Sequence, residues 1–341
     1  MKSNSYLKGI RNFLVLARIE LAGFSFVAVI GAMTVLQREI SLVNVFWLFL
    51  FNILLVIFGF VHNDYEDYNI DRKLPELQNR PLVNGSITPK AALYISVYLV
   101  VITLVLAFIV YGQLLVAGMM ALALLLAALY NRYSKTLLGA DIFYALSAGC
   151  LFIFGALAAV EEASLDQLTP FTLLMAAVMT LEHLSFNIAS GQLKDVKFDH
   201  LAGVKSLAVA MSTIRGDIIE INTGFKAICI GIKLLTYILV FSLFAFNILP
   251  TLIWQLLLLL LFTLGSLLLT IQLLGVPLEN REKILELTRK QEMFSKSLIP
   301  IVLLPTIGLV WVFIITVGPV IWFTAFNFLL NRELLGNPKT F

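Results

Sequence analysis

The second long apolar run of the chain decides its fold. Residues 42–62 read LVNVFWLFLFNILLVIFGFVH, and residues 63–71, which follow directly, read NDYEDYNID. A helix that crosses the hydrocarbon of a bilayer needs about 20 mostly apolar residues. The first stretch meets that requirement, and it has to be a helix because backbone groups in lipid must bond within their own segment. The acidic stretch then marks the point at which this helix reaches the membrane surface.

Eight further runs of similar composition accompany this one. The nine predicted spans are 13–36, 42–62, 91–111, 114–130, 141–160, 170–190, 225–248, 252–274 and 298–330. We therefore predict an all-α integral membrane protein with nine transmembrane helices in a bundle, forming a single domain over residues 1–341. The first run contains Arg18 and Glu20 and lacks a small-residue cleavage pattern, so we interpret it as a retained helix. The last contains Pro305 and Pro319 and is either one kinked helix or a helix with an interfacial segment.

Composition favours lipid as the surrounding solvent. Of the 341 residues, 60% are hydrophobic and 13% are charged, whereas a soluble domain has roughly 45–50% apolar and about 25% charged residues. The net charge of +3 is small and the basic residues are scattered, so a nucleic-acid partner is not indicated. The two cysteines, Cys150 and Cys229, lie far apart in apolar runs, which is typical of buried hydrophobic residues rather than of a disulfide or zinc site.

Loop charges predict the orientation in the membrane. Nineteen of the 24 Lys and Arg residues lie at the N-terminus or in the loops after the second, fourth, sixth and eighth spans. Basic loops stay in the cytoplasm, so the N-terminus and the acidic stretch 63–71 are predicted to be cytoplasmic. The opposite side carries Arg38, Arg332 and Lys339. The last two belong to a short tail, residues 331–341, which is predicted to be lumenal or extracellular.

Oxygen-bearing residues spaced four apart occur at the cytoplasmic ends of two spans. Asn63, Asp67 and Asp71 form the first motif, after the second span, and Asp195 and Asp199 form the second motif, after the sixth. Residues four apart share a helix face, so each motif presents a row of oxygens to one point. Such oxygens suit Mg²⁺, which completes its shell with water and phosphate. The basic residues beside the motifs, which would contact a polyphosphate arriving with its metal ions, are Arg72, Lys73, Arg80, Lys194 and Lys197.

The two motifs also indicate an internal repeat. An offset of 128 residues aligns them, with Asp67 falling on Asp195. Each motif ends an even-numbered span and leads into a loop that contains Gly and Ser. We therefore predict two pseudo-repeated halves, about 10–135 and 140–275, followed by a final span. Their acidic faces would clamp one diphosphate between them through bridging metal ions.

These motifs resemble those of the UbiA superfamily of intramembrane prenyltransferases. The stretches that carry the resemblance are NDxxDxxxD at 63–71, Arg80-Pro81-Leu82 with Gly85, Tyr133-Ser134, and DxxxD at 195–199 with the stretch 202–207. The resemblance covers the chain from about residue 10 to the ninth span. It implies a bundle around a central cavity, which transfers a prenyl group from a prenyl diphosphate to an aromatic or lipid acceptor, with Mg²⁺ as the cofactor. A quinone precursor and a glycerol-phosphate ether lipid are both compatible acceptors.

The resemblance also implies roles for individual residues. The implied Mg²⁺ ligands are Asn63, Asp67, Asp71, Asp195 and Asp199, with Asp67, Asp195 and Asp199 as the catalytic acids. Asp64, like Asp71, would be a supporting or second-site acid. The residues expected to contact the diphosphate are Arg18, Lys73, Tyr133, Ser134 and Lys194. Two departures leave the acceptor open: Gln192 stands where many relatives have an acid, and residues 137–139 lack the lysine that many relatives have.

Other functions stay open at this level. A secondary transporter also carries acidic residues, although transporters place them near the bilayer midplane. In a non-catalytic membrane scaffold, replacing Asp67 would change nothing. A prenyl-diphosphate hydrolase or cyclase would bind the diphosphate through the same two acidic motifs. Glu182 and His183, inside the sixth span, are either a base for the acceptor or a pair satisfied between helices. The polar segment 277–297 is predicted to be a solvated connecting helix.

Overall fold

The computed structural model describes residues 2–23, 26–215 and 218–330. Its helices are α1 (Lys2–Leu16), α2 (Ile19–Ala22), α3 (Val27–Leu36), α4 (Leu42–Asp71), α5 (Pro89–Tyr111), α6 (Leu114–Tyr133), α7 (Asp141–Ala158), α8 (Pro170–Ser185), α9 (Leu193–Leu201), α10 (Leu207–Ala210), α11 (Thr223–Ala245), α12 (Ile253–Leu273) and α13 (Arg281–Leu329). A π-helical segment, Phe186–Gln192, joins α8 to α9. A small antiparallel hairpin, which the sequence did not indicate, pairs β1 (Ser212–Arg215) with β2 (Ile218–Ile221). The tail 331–341, with Arg332 and Lys339, lies outside the described residues.

Nine spans in the described part of the chain are long and apolar enough to cross a bilayer. This confirms the predicted number of spans and the all-α membrane class. Local capping residues fix where several of them begin. Thr88 and Thr169 each precede a proline at the first position of α5 and α8, and each hydroxyl accepts a backbone N–H of the first turn. The first N–H groups of a helix have no acceptor within the helix. A threonine hydroxyl accepts one of them, and proline has no N–H that needs an acceptor, so the two residues together favour a helix start.

The first span is not the single helix that the apolar run 13–36 predicts. Arg18, between α1 and α2, has a left-handed backbone with φ of 44°, and α3 begins only at Val27. The Arg18 guanidinium donates to Asp64 Oδ1 at 2.8 Å. A cation inside an unbroken apolar helix would need a polar partner within the membrane, and the break gives it one at the end of α4.

The second and sixth spans are longer than predicted. Helix α4 continues past His62 to Asp71 without interruption. Helix α8 passes through the π-helical segment into α9 and ends at Leu201. Both acidic motifs are therefore helical, and the second lies within the sixth helix rather than beyond its end. The i, i+4 spacing consequently brings the side chains of each motif to one face.

The last helix is one kinked helix, which decides between the two alternatives for this span. It runs from Arg281 to Leu329 and changes direction at Gly308, where φ is 80°. Pro305 cannot donate a backbone hydrogen bond inside a helix. Arg38 Nη2 donates to the Pro305 carbonyl oxygen at 3.2 Å, next to the kink. The segment 277–297, predicted to be a separate connector, is mostly the first part of this same helix.

Helix α13 also packs against the first span. The indole Nε1 of Trp322 donates to the Ile19 carbonyl oxygen at 2.7 Å. The ring lies directly over Gly23, where a Cβ would overlap with it. Arg11 Nη2 donates to the Leu330 carbonyl oxygen at 3.4 Å. The first and last spans of the chain are therefore neighbours, which closes the bundle.

Two glycines bring α3 and α7 into close contact. Gly31 lies against the carbonyl oxygen of Phe152, and Gly155 lies against that of Ala28, so a Cβ at either glycine would overlap with the opposite carbonyl. Apolar contact between helices gains little over contact with lipid, so association in membranes depends on close packing at small residues. Accordingly, 81% of the span Ile19–Glu39 is buried within the protein, against 22% of α5, as expected of a helix that faces lipid.

We predict that Gly155→Ala lowers the thermal stability of the purified protein, because the added methyl forces α3 and α7 apart. Overpacking of this kind costs about 1–3 kcal/mol of unfolding free energy. Gly118→Ala is the matched control, since no atom lies within 4 Å of the position of its Cβ. Thermal unfolding in detergent micelles compares the two. A Gly155→Ala midpoint equal to that of Gly118→Ala would contradict the described packing.

Candidate active site

The first acidic motif lies on the last turns of α4. Asp64, Asp67 and Asp71 are all less than 10% exposed. The Asn63 amide donates to Asp67 Oδ2 at 2.9 Å, so two predicted ligands are already joined along the helix face. Buried carboxylates need cations or hydrogen-bond donors, since removing an unpaired charge from water is costly. The neighbours of these three acids therefore define the site.

Lys135 brings the two motifs to one point. Its Nζ lies 3.9 Å from Asp67 Oδ2 on α4 and 3.6 Å from Asp199 Oδ1 on α9. The backbone of the same loop is fixed by a hydrogen bond from Lys205 N to the Lys135 carbonyl oxygen at 3.0 Å. Burial favours the neutral amine, but the Asp67 and Asp199 carboxylates outweigh it and hold the pKa of Lys135 above its usual value. Lys135 is therefore a permanent cation between the two acidic helix ends.

Two arginines hold the remaining acids of the first motif. Arg80, in the loop after α4, lies 2.5 Å from Asp71 Oδ2 and 3.5 Å from Asp64 Oδ1. Arg18 lies 2.8 Å from the same Asp64 oxygen, and its guanidinium stacks over the Phe60 ring with the centroid at 4.8 Å. Burial opposes the charged form of Arg80, yet the Asp64 and Asp71 carboxylates raise its pKa. Both guanidinium groups thus have fixed positions at the acidic end of α4.

The second motif receives its cation from the last helix. Arg281, the first residue of α13, places Nη2 3.7 Å from Asp195 Oδ1 and donates from Nε to the Lys194 carbonyl oxygen at 3.4 Å. The Lys194 side chain lies within electrostatic range of Arg18, Arg80 and Arg281. Five basic groups thus gather beside the five acids, namely Arg18, Arg80, Lys135, Lys194 and Arg281. Such a concentration of cations suits a polyanion that arrives with metal ions.

The predicted diphosphate contacts are placed unevenly. Arg18 and Lys194 lie in the cluster described above. Ser134 precedes Lys135, and its buried Oγ has no hydrogen-bond partner among the described residues. Lys73 and Tyr133 are exposed, and neither side chain makes an ion pair or hydrogen bond with another described residue. The structure therefore brings Arg18 and Lys194 to the motifs, has Ser134 next to Lys135 in the chain, and leaves Lys73 and Tyr133 at the edge.

Sequence reasoning missed three of the cations that contact the acids. Arg80 was recognised only as a basic residue beside the first motif, and its pairing with Asp71 was not foreseen. Lys135 was not among the predicted site residues. Arg281 was assigned to a solvated connector. The signal that could have identified it is its position, since it opens a polar helix on the same side of the membrane as the motifs.

Glu182 and His183 have partners inside the bundle. Glu182 Oε2 lies 3.0 Å from Lys233 Nζ of α11 and accepts from Ser295 Oγ of α13 at 2.5 Å. His183 Nδ1 lies 2.8 Å from the Met179 carbonyl oxygen, one turn earlier in α8. Of the two alternatives for these residues, Glu182 has the geometry of an interhelical pair, and His183 is bonded within its own helix.

The donor set suits a hard cation that keeps part of its own hydration shell. Within the described residues, no three His, Cys, Asp or Glu side chains converge closely enough to hold a metal by themselves. The oxygen ligands come instead as small groups on two helices, Asn63 with Asp67 and Asp195 with Asp199. Mg²⁺ is bound in this manner, through one or two carboxylates together with water and phosphate oxygens. The arrangement can therefore hold a metal-bound polyphosphate.

Comparison with known sequences agrees with this geometry. The sequence model of the UbiA prenyltransferase family matches residues 24–298. The digeranylgeranylglyceryl phosphate synthase of Hyperthermus butylicus is 32% identical over 153 residues, which are 44% of this chain and 50% of the relative. The protoheme IX farnesyltransferase of Tropheryma whipplei is 30% identical over 162 residues, 47% of this chain and 54% of the relative. The chain thus spans about half the length of the curated relatives it matches.

Solved structures share the fold. A structure described as digeranylgeranylglyceryl phosphate synthase in membranes superposes with a TM-score of 0.65 at 20% identity, covering 88% of this chain and 99% of the other. A UbiA homologue from Archaeoglobus fulgidus bound to DMAPP and Mg²⁺ has a TM-score of 0.59 at 18% identity, covering 84% and 99%. At these identities the likeness establishes the fold.

We predict that Lys135→Met makes the stability of the protein depend on Mg²⁺. Without the ammonium, the Asp67 and Asp199 carboxylates face each other with one cation fewer. We expect a loss of about 1–2 kcal/mol, below the value for a fully buried pair because Lys135 is partly exposed. Added Mg²⁺ should restore more stability to Lys135→Met than to the unaltered protein, as measured by thermal unfolding with Mg²⁺ or EDTA.

The matched control for this measurement is Lys290→Met, which breaks an exposed ion pair with Glu286 on α13. Exposed helical pairs contribute only about 0.3–0.5 kcal/mol. If the two variants lose equal stability and respond equally to Mg²⁺, Lys135 does not compensate the acidic motifs.

Proposed function

The chain belongs to the UbiA prenyltransferase family, and we propose that it is a membrane-embedded prenyltransferase. In this proposal it takes an isoprenoid chain from a prenyl diphosphate and transfers it to a lipid acceptor, with Mg²⁺ as the cofactor. The observation that carries the proposal is the convergence of both acidic motifs on Lys135. Two acidic helix ends that meet at one point can bind metal ions on both sides of a single diphosphate.

The proposed Mg²⁺ ligands are Asn63, Asp67, Asp71, Asp195 and Asp199. When bound, Mg²⁺ would neutralise charge on the diphosphate as its bond to carbon breaks. Asp67 and Asp199 are the ligands best placed to act together, because the same lysine holds both. Asp71 and Asp64 share Arg80, so they serve as supporting acids beside that pair. The homologue solved with DMAPP and Mg²⁺ supports the same class of ligand.

Cationic and hydroxyl groups of the chain would act on the leaving diphosphate. Lys135 and Lys194 lie beside the motifs and can approach phosphate oxygens. The unpartnered Ser134 hydroxyl can donate to one of them. Fixed positive groups that face developing negative charge lower the barrier without reorganising during the reaction. Arg18 and Arg80 contribute by keeping Asp64 and Asp71 in place, since both are already bonded to these acids.

The apolar spans would protect the reacting carbon. As the C–O bond breaks, the electron pair stays with the diphosphate and positive charge remains on the allylic carbon. Water would capture that carbon, so the reaction needs a dry cavity. The spans around the site are almost wholly apolar, which gives the donor's chain a hydrophobic path into the membrane. The acceptor's oxygen or ring carbon then forms the new bond and loses a proton.

We propose a glycerol-phosphate ether lipid as the acceptor class. Two curated relatives and one solved structure are named for digeranylgeranylglyceryl phosphate synthase. An acceptor that carries its own phosphate also needs cations beyond those that pair with the acids. The exposed Lys73 provides such a cation, since its side chain makes no ion pair with another described residue.

The proposed orientation places the site on the cytoplasmic side. The basic loops after α4, α6, α9 and α12 all lie at the same end of the bundle as the acidic motifs, and positive loops remain in the cytoplasm. We also propose that residues of about 10–135 and 140–275 are pseudo-repeated halves. In support, each half contains one helix, α4 or α8–α9, that extends past its apolar span to carry an acidic motif.

Prenyl transfer can be tested on purified protein in nanodiscs with radiolabelled geranylgeranyl diphosphate and geranylgeranylglyceryl phosphate. We expect label to enter a lipid product with Mg²⁺ and not with EDTA. Asp67→Asn and Asp199→Asn should each lower kcat by about 10²–10³-fold, the usual effect of removing one preorganised electrostatic group. Asp166→Asn, in the loop before α8, is the matched control and should retain full activity.

Other results identify other functions. Release of labelled prenyl alcohol alone would indicate a hydrolase, and unaltered donor in every condition would exclude prenyl transfer. Label on an aromatic acceptor but not on the glycerol-phosphate lipid would contradict the acceptor class and leave the transferase intact.

The orientation has its own test. Single cysteines at Lys90 and Asp166, in a chain with Cys150 and Cys229 replaced by Ala, are treated with a membrane-impermeant maleimide. We expect Asp166→Cys to react in intact cells and Lys90→Cys to react only after the membrane is opened. The reverse pattern would place the acidic motifs on the outer side.

A further inference from the structure

A partly buried polar network surrounds the π-helical segment, and it is separate from the residues assigned to the diphosphate. Asp141, the first residue of α7, accepts through Oδ1 from the Asn187 amide at 2.8 Å and from the Gln192 amide at 2.7 Å. Asn187 lies in the first turn of the segment, and Gln192 is its last residue. One carboxylate oxygen therefore ties the two ends of the segment together.

Both amides are also anchored on their other side. The Tyr130 hydroxyl of α6 donates to Asn187 Oδ1 at 3.1 Å and accepts from Asn187 Nδ2 at 3.0 Å. Gln192 Oε1 accepts from Ala208 N, in α10, at 2.8 Å. The network thus joins α6 and α7 to both sides of the second motif, which lies between Gln192 and Ala208.

Asp141 is an unusual residue in this position. Its side chain is buried, and no cation of the described residues lies within ion-pair distance of it; Lys135 attracts it only from further away. A buried carboxylate without a cation is costly unless hydrogen bonds satisfy it. Two amide donors converge on one oxygen, Asp141 Oδ1. An oxygen acceptor at this position therefore joins Asn187 directly to Gln192.

The π-helical segment determines which way the second motif faces. A π-turn, with its i→i+5 hydrogen bonds, contains about one residue more than an α-turn. Each residue of an α-helix turns the chain by about 100°. If the segment relaxed to α geometry, the whole of α9 would rotate by about that angle. Asp199 would then leave Lys135, and Asp195 would leave Arg281, so the two acidic motifs would no longer face each other.

We infer that Asp141 is a positioning residue, which holds the π-helical segment in the form that aims Asp195 and Asp199 at the first motif. The expected effect of Asp141 on kcat rests on the proposed function. The geometric role stands independently of which reaction the site performs. Asp141 acts through Asn187 and Gln192 and touches neither the metal ligands nor the substrate itself.

The rotation can be measured directly by pulsed electron paramagnetic resonance. Nitroxide labels are attached at Asn69→Cys on α4 and Lys197→Cys on α9, both exposed, with Cys150 and Cys229 replaced by Ala. Side chains lie about 5–6 Å from a helix axis, so rotation of α9 by about 100° should shift or broaden the label distance by about 5–8 Å. We expect this change in Asp141→Leu.

Asp141→Asn is the matched control, because its amide oxygen can still accept from both Asn187 and Gln192. It should keep the wild-type distance and most of the activity, while Asp141→Leu should lose kcat by at least 10-fold with a smaller change in KM for the prenyl diphosphate. A wild-type distance in Asp141→Leu would overturn the inference, as would equal shifts in both variants. If Asp141→Leu does not fold, Gln192→Leu removes two bonds of the same network, those with Asp141 and Ala208, and the same change in label distance is expected.

The distance measurement also separates the two proposals. A chain without prenyltransferase activity that still shows the shift in Asp141→Leu would disprove the proposed function and support the positioning role. An active chain whose label distance is unaffected by Asp141→Leu would support the proposed function and disprove the positioning role.

Discussion

Carboxylates withdrawn from water at a membrane surface have to be paired, and this requirement organises the molecule. The acids of the first motif are spaced so that they repel one another along α4, and all three are buried. Each is held by a cation or an amide. The cations that pair with the acids of the two motifs come from four separate places: the break before α2, the loops after α4 and α6, and the first residue of α13. Lys135 is central among them, because it alone in the described part of the chain contacts both motifs.

The irregular backbone of the bundle lies where polar groups must be reached. The left-handed Arg18 directs a guanidinium towards Asp64. The π-helical segment turns the second motif towards the first. The kink at Gly308 exposes a carbonyl that Arg38 satisfies. Spans such as α5, α6 and α12 are regular helices, as lipid requires of any backbone that it surrounds. Each of the three departures named above lies where a side chain makes a polar contact with another element.

Much of the fold was readable from the sequence, since lipid imposes a length and an apolar composition that few other structures share. The spacing of Asn63, Asp67 and Asp71 was readable for a similar reason, because a helix converts it directly into a shared face. The breaks were not readable, since each depends on a partner far away in the chain. Arg281 illustrates the difficulty: its own neighbours suggest a solvated helix, and only the folded bundle places it beside Asp195. The extra residue in the π-turn likewise leaves no periodic signal in a stretch of seven residues.

The contact between Trp322 and the Ile19 carbonyl oxygen joins residues 303 positions apart. During synthesis the first span leaves the ribosome long before its partner exists. The Ile19 carbonyl oxygen therefore has no indole partner until the span that contains Trp322 has been inserted. The hydrogen bond that joins α13 to the first span is therefore one of the later contacts that the bundle can form.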